Sequence, residues 1–144
     1  MANPDTNTND FKSTLQSLDA RAVHIGMVDP EGEFRDKLVS ADKAAKLAGG
    51  AYPFCEVLYF WDIAEQTYRD GAFVDRPARI FTDTLRAYPF AEQTALCLAD
   101  FDGDFGRRSP RNVCIAQIEQ ASEMGFDVLS AFEFEFFVFD ETAE

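Results

Sequence analysis

Basic charge is scarce in this chain. Thirteen Lys and Arg stand against 26 Asp and Glu, a formal net charge of −13 over 144 residues. Nucleic acid needs its phosphates neutralised by Lys and Arg, so so acidic a surface excludes nucleic-acid binding. Cysteine is scarce too. Cys55, Cys97 and Cys114 are odd in number and far apart, and they form neither a CxxC pair, nor a zinc spacing, nor a disulfide framework. Buried free thiols in a reducing compartment are expected. The one histidine, His24, alternates with Val23 and Ile25 and has no nucleophile beside it, so it reads as structural or surface, without a catalytic role. No apolar run approaches the ~20 residues that span a bilayer. The polar start, residues 1–9, lacks the basic and apolar regions of a signal peptide and reads as a frayed tail. A soluble cytoplasmic domain with no membrane contact is the expected class.

What is present suits a packed core. Hydrophobic residues make up 47% of the chain and include 15 Phe, which argues against disorder. The length suits one ordinary domain, or one small domain plus part of another.

Helix and strand signals alternate without a repeat. Asp10 can cap a short helix with Phe11, Leu15 and Leu18 on one stripe. Residues 22–28 read as a strand, Asp29-Pro30-Glu31-Gly32 as a tight turn, and residues 34–39 as the return strand. Ser40 caps a helix stopped by Gly49-Gly50. Residues 55–61 read as an apolar strand ending at Asp62, residues 62–90 as a long loop region with one or two short strands, and residues 94–99 as a strand. The loop from Asp100 to Arg108 fails as a calcium site: Phe105 stands where an EF-hand needs Gly, and Arg111 where it needs Glu. It reads as a solvated turn. Beyond it, Ser109 and Pro110 open a helix that closes at Gly125, with Cys114, Ile115, Ile118 and Ala121 on its buried face.

The richest stretch is Phe132-Glu-Phe-Glu-Phe-Phe-Val-Phe139. As a strand it places Glu133 and Glu135 on one face, about 6–7 Å apart, and Phe132, Phe134 and Phe136 on the other. An amphipathic strand facing water has this pattern. Phe137 and Phe139 fall on the Glu face, however, which suggests a cleft wall where carboxylates need partners. Hard cations such as Mg²⁺ or Mn²⁺ take oxygen ligands and suit the pair.

Several residues together resemble the glutamine synthetase family. Pro110-Arg111 opening a helix, Gly125 ending it, and Glu133-Phe-Glu-Phe-Phe-Val-Phe-Asp140 resemble the start of that family's catalytic domain. Val28-Asp29-Pro-Glu-Gly32 with Arg35 resembles the first hairpin of its β-grasp N-terminal domain, and Tyr88-Pro89-Phe90 its Pro-aromatic segment. The resemblance implies an α+β fold: a tail and helix over 1–19, a β-grasp-like domain over 20–108, and the truncated start of a catalytic domain over 109–144. It implies an ATP-dependent ligase that joins glutamate to ammonia or a small amine through a γ-glutamyl phosphate. Glu133 would bind the metal nearer the ATP phosphates, Glu135 the metal nearer glutamate and ammonia, and Asp62 would attract the ammonium and help take its proton. No ATP-binding residue is assigned, because the family's later ligands lie past residue 144. Homo-oligomeric rings, in which one subunit completes its neighbour's site, are implied as well.

Trp61-Asp62-Ile63-Ala64-Glu65-Gln66 departs from the Phe-Asp-Gly-Ser-Ser of ammonia-using bacterial members. It looks more like glutamate–amine ligases such as γ-glutamylpolyamine or γ-glutamylmethylamide synthetases. Two other readings stand beside this one: a non-catalytic β-grasp module pairing with a synthetase-like partner, and a small metal-binding protein using the acidic face. Arg35 and Arg111 are expected in salt bridges. If the chain is a fragment, its Phe-rich segment should make it prone to aggregate.

Overall fold

Along Ala22–Val28 (β1), Val23, Ile25 and Met27 point into the core, the period of two that a half-buried strand requires. In the computed structural model, which describes residues 4–140, β1 pairs antiparallel with Phe34–Ser40 (β2), as the turn at Asp29–Gly32 predicts. Gly26 is needed in this hairpin, since a Cβ there would lie 2.4 Å from the Arg35 carbonyl oxygen. Thr94–Phe101 (β6) runs parallel to β1 on its other side. Asp75–Ile80 (β4) pairs with β6, and Ala51–Cys55 (β3) with β4, giving the strand order β2-β1-β6-β4-β3, while the short Arg86–Ala87 (β5) pairs with β6. The architecture is mixed α+β.

Two helices cover the core. Pro4–Ser17 (α1) contributes Phe11 and Leu15, and Ala41–Leu47 (α2) contributes Ala44. The Ser40 hydroxyl accepts from the Lys43 N–H, which is the expected cap of α2. Asp10 does not open α1. The helix begins at Pro4, so part of the segment read as a frayed tail is helical.

Two further expectations are corrected, those for residues 55–61 and for the acidic loop. The apolar run 55–61 is not a strand: β3 ends at Cys55 and Glu56–Tyr59 form a 3₁₀ turn that buries Glu56, Leu58 and Tyr59. Residues 62–90 hold two short strands, β4 and β5, within the expected one or two, and β4 forms despite Pro77. That residue lies opposite Pro53, so two residues without an N–H face each other and no ladder donor is wasted. The acidic loop is not a solvated turn, because Asp100 and Phe101 complete β6 and are buried. Asp100 accepts from the Tyr59 hydroxyl at 2.9 Å and from the Ser109 hydroxyl. A short helix, Gly103–Gly106 (α3), precedes Pro110–Glu123 (α4).

The chain divides into two units, Met1–Val113 and Cys114–Glu144. In the second, α4 ends at Gly125 as expected: the Phe126 N–H bonds the Ala121 carbonyl and the Gly125 N–H the Ser122 carbonyl. The expected buried face of α4 is open, with Ile115 and Ile118 exposed. Residues 126–139 form no strand, and Phe132 through Phe139 lie in solvent. A β pattern becomes a strand only where a neighbouring strand accepts its hydrogen bonds, and among the described residues none does. Among the described residues, no helix is long and apolar enough to cross a membrane.

Candidate functional site

Asp62 sits on an exposed turn whose backbone closes on itself. The Asp62 N–H bonds the Gln66 carbonyl at 3.0 Å, and the Glu65 N–H bonds the Asp62 carbonyl at 2.8 Å. Its carboxylate Oδ1 accepts from the Ala64 and Gln66 N–H groups, each at 2.9 Å. An Asx arrangement of this kind lets one side chain replace two backbone acceptors. Among the described residues Oδ2 accepts no bond, so it is open to a cationic ligand.

The same turn occurs at Asp29. Its N–H bonds the Glu33 carbonyl, the Gly32 N–H bonds its carbonyl, and its Oδ1 accepts from the Glu31 and Glu33 N–H groups at 3.0 and 2.9 Å. Gly32 has a left-handed φ of +92°, and the matching position in the other turn is Glu65 at +57°. The difference lies in the second oxygen. Asp29 Oδ2 accepts from Arg35 Nε at 2.8 Å, and this carboxylate is buried.

Arg35 joins the two turns. Its Nη1 donates to Glu65 Oε1 at 2.5 Å, and its guanidinium lies 5.2 Å from the Trp61 ring centroid. Hydrogen bonds to Asp29, then to Glu65, raise the Arg35 pKa above its ordinary value and keep it charged. A cleft of about 390 Å³ lies alongside, lined by Phe34, Arg35, Phe54, Leu58 and Trp61 among others. The expected salt bridge of Arg35 is present; Arg111 instead stacks over Phe81, 4.7 Å from its centroid.

Glu133 and Glu135 lie on the exposed second unit, and among the described residues no group of three or more His, Cys, Asp or Glu is gathered as a metal site. Two oxygen donors suit a hard cation chemically, but octahedral Mg²⁺ needs more ligands than this pair supplies. His24 bonds Asp36 through Nδ1 at 2.5 Å and packs 4.5 Å from the Tyr88 ring. Of the thiols, Cys97 is buried, Cys55 is partly buried and Cys114 is exposed, against the expectation that all three are buried. Burial pushes the Cys97 thiol up to about 11, so it stays protonated.

Other ionic contacts had no signal in the sequence. Glu56, buried on the 3₁₀ turn, pairs with Arg76 and, at 3.3 Å, with Arg69. Arg76 chiefly holds the Glu56 carboxyl below its ordinary range, against the opposing pull of burial. Burial likewise raises the Tyr59 phenol. A bridge such as Arg35–Glu65, spanning 30 positions, leaves no local pattern, although the recurrence of an Asp four residues before a Glu or Gln at both turns is visible once the geometry is known.

No family model matches the chain. It is 30% identical over 131 residues to a glutamate–isopropylamine ligase of a Pseudomonas species, covering 83% of this chain and 28% of that protein. It is 28% identical over 129 residues to type-1 glutamine synthetase 2 of Dictyostelium discoideum, covering 83% and 25%. In fold it is similar to GmaS in complex with ADP (TM-score 0.62, 20% identity, 80% of this chain and 26% of that one) and to GmaS without ligand (0.62, 22%, 78% and 26%). The chain spans about a quarter of the length of the curated relatives it matches. Sequence and fold together confirm the resemblance that its motifs carry: this chain is similar to the glutamine synthetase-type ligases.

Proposed function

We infer that residues 1–144 are the N-terminal portion of an ATP-dependent glutamate–amine ligase. The observation that carries this reading is the 30% identity to a glutamate–isopropylamine ligase across 131 residues. The strand order β2-β1-β6-β4-β3, with β1 and β6 parallel and α2 following the first hairpin, supports a β-grasp for residues 20–108, with the catalytic domain starting at 109.

The reaction has two steps. The glutamate side-chain carboxylate attacks the terminal phosphoryl group of ATP, giving γ-glutamyl phosphate and ADP; an amine then attacks the acyl carbon and phosphate leaves. Asp62 serves the second step. Its open Oδ2 accepts an N–H of the incoming ammonium or alkylammonium and takes the proton that must leave before nitrogen can attack. Oδ1, committed to two backbone bonds, fixes the direction of that oxygen. Glu133 and Glu135 would hold Mg²⁺ or Mn²⁺, which neutralises charge shared by ATP and glutamate. The remaining ligands come from chain beyond residue 144, and a homo-oligomeric ring in the cytoplasm completes the reading.

The test is turnover by the full-length protein that carries this chain. ADP release is expected to require glutamate, an amine and Mg²⁺, and Glu135→Ala is expected to abolish it. Unchanged turnover in that variant would overturn the metal assignment, and ADP release indifferent to any amine would overturn the ligase reading.

A further inference from the structure

Two turns of this chain share one hydrogen-bond pattern, and a single arginine connects them. In the first turn the left-handed position is Gly32, with φ +92° and open space around it. In the second it is Glu65, with φ +57°, a conformation that L residues with side chains rarely adopt. A glycine would close the second turn with less strain. What Glu65 offers that glycine cannot is its carboxylate, which Arg35 Nη1 holds at 2.5 Å while Arg35 Nε holds the buried Asp29 at 2.8 Å.

We propose that Arg35 is a positioning residue for the amine site, tethering the exposed Asp62 turn to the anchored Asp29 turn through Glu65. The proposal rests on the reading of Asp62 given above. The anchor is rigid, because Asp29 accepts two backbone bonds besides that of Arg35 and β1 and β2 enter and leave its turn. Its own Asx bonds and the pairing of Trp61 with Thr67 close the turn at its base, but its tip is not packed, since Ile63, Ala64, Glu65 and Gln66 are all exposed. Trp61 under the guanidinium supplies a second contact at the base of the turn. A loop carrying an acceptor for a small cation gains from such a tether, because an oxygen that wanders by an ångström loses most of its directional value.

Glu65→Gly separates positioning from simple turn formation: it keeps the turn and removes the tether. Amide–solvent exchange measured by NMR on the chain is expected to speed up about two- to fivefold at Ala64 and Gln66, the range of a partly exposed ion pair. The Glu31 and Glu33 amides, capped by Asp29, should not change, and Glu65→Gln should fall between the two. Unchanged exchange at Ala64 and Gln66, or equal acceleration in both turns, would overturn the tether. In the full-length protein the KM for the amine is expected to rise by a similar factor, with the KM for glutamate and for ATP unchanged. Faster exchange with an unmoved amine KM would overturn the role in amine capture. A full-length protein without ligase activity would sink the reading of Asp62, while the exchange rates would still decide the tether.

Discussion

The turns at Asp29–Glu33 and Asp62–Gln66 have the same backbone bonds, yet the chain treats them in opposite ways. Asp29 has both oxygens occupied and is 3% exposed, whereas Asp62 has one occupied oxygen and stands in solvent. The geometry of a local motif therefore does not decide its use. Burial and the fate of one carboxylate oxygen do. Satisfied and enclosed, the motif fixes a hairpin; with an oxygen left over and exposed, it presents an acceptor.

Deleting each carboxylate breaks the comparison most strongly. Asp29→Ala removes two backbone caps and leaves Arg35 held by Glu65 alone, so a loss of about 2–4 kcal/mol is expected in urea unfolding. Asp62→Ala removes two caps from a turn that water can reach, and about 0.5–1.5 kcal/mol is expected. Equal losses would mean that burial does not distinguish the two turns.

A subtler exchange tests the left-handed positions. Nothing lies within 4 Å of a Cβ built on Gly32, so Gly32→Glu should cost only its backbone strain, roughly 1–2 kcal/mol. Glu65→Gly relieves similar strain but gives up the Arg35 pair, so its net change in unfolding free energy should stay within about 1 kcal/mol. A large loss from Glu65→Gly would show that the ion pair, not the Asx bonds, closes the second turn.

How far these features were legible follows from their range in the chain. The β1–β2 hairpin and the cap at Ser40 rest on neighbours within a few residues, and the sequence reads them nearly to the residue. β4 is expected only as a short strand somewhere within 62–90: Pro77, Arg76 and Arg79 blur its bounds, and its pairing with Pro53 and Phe101 reaches across more than twenty residues. The run 55–61 is ambiguous because a short apolar segment carries no period of its own; in the structure it holds a 3₁₀ turn on which Glu56 is buried and paired with Arg69 and Arg76. Glu133 and Glu135 are legible as chemistry and illegible as geometry, since their segment has no partner strand among the described residues. Asp62 could be named through a family likeness, but its contact with Arg35 through Glu65 could not, because Arg35 and Glu65 stand 30 positions apart in the chain.

Acid sharpens the comparison with the smallest effect, through a third carboxylate. Glu56 resembles Asp29 in being buried and held by arginine, and its folded pKa lies below the ordinary value of 4.5, chiefly through the hydrogen bond from Arg76. A depressed carboxyl stabilises the fold while it is ionised. Its contribution is thus complete above the unfolded pKa and is lost as pH falls through the folded one. Glu56→Gln should remove that share of the acid slope in unfolding free energy measured from pH 6 down to pH 2. The opposite limb belongs to Tyr59, whose buried phenol titrates above its ordinary 10.0 and donates to Asp100. Its stabilisation is complete below 10 and declines as pH rises toward the folded value, so Tyr59→Phe should flatten the alkaline limb and leave the acid limb unchanged. An acid slope that survived Glu56→Gln would show that the buried, arginine-held Glu56 carboxylate is not what acid removes.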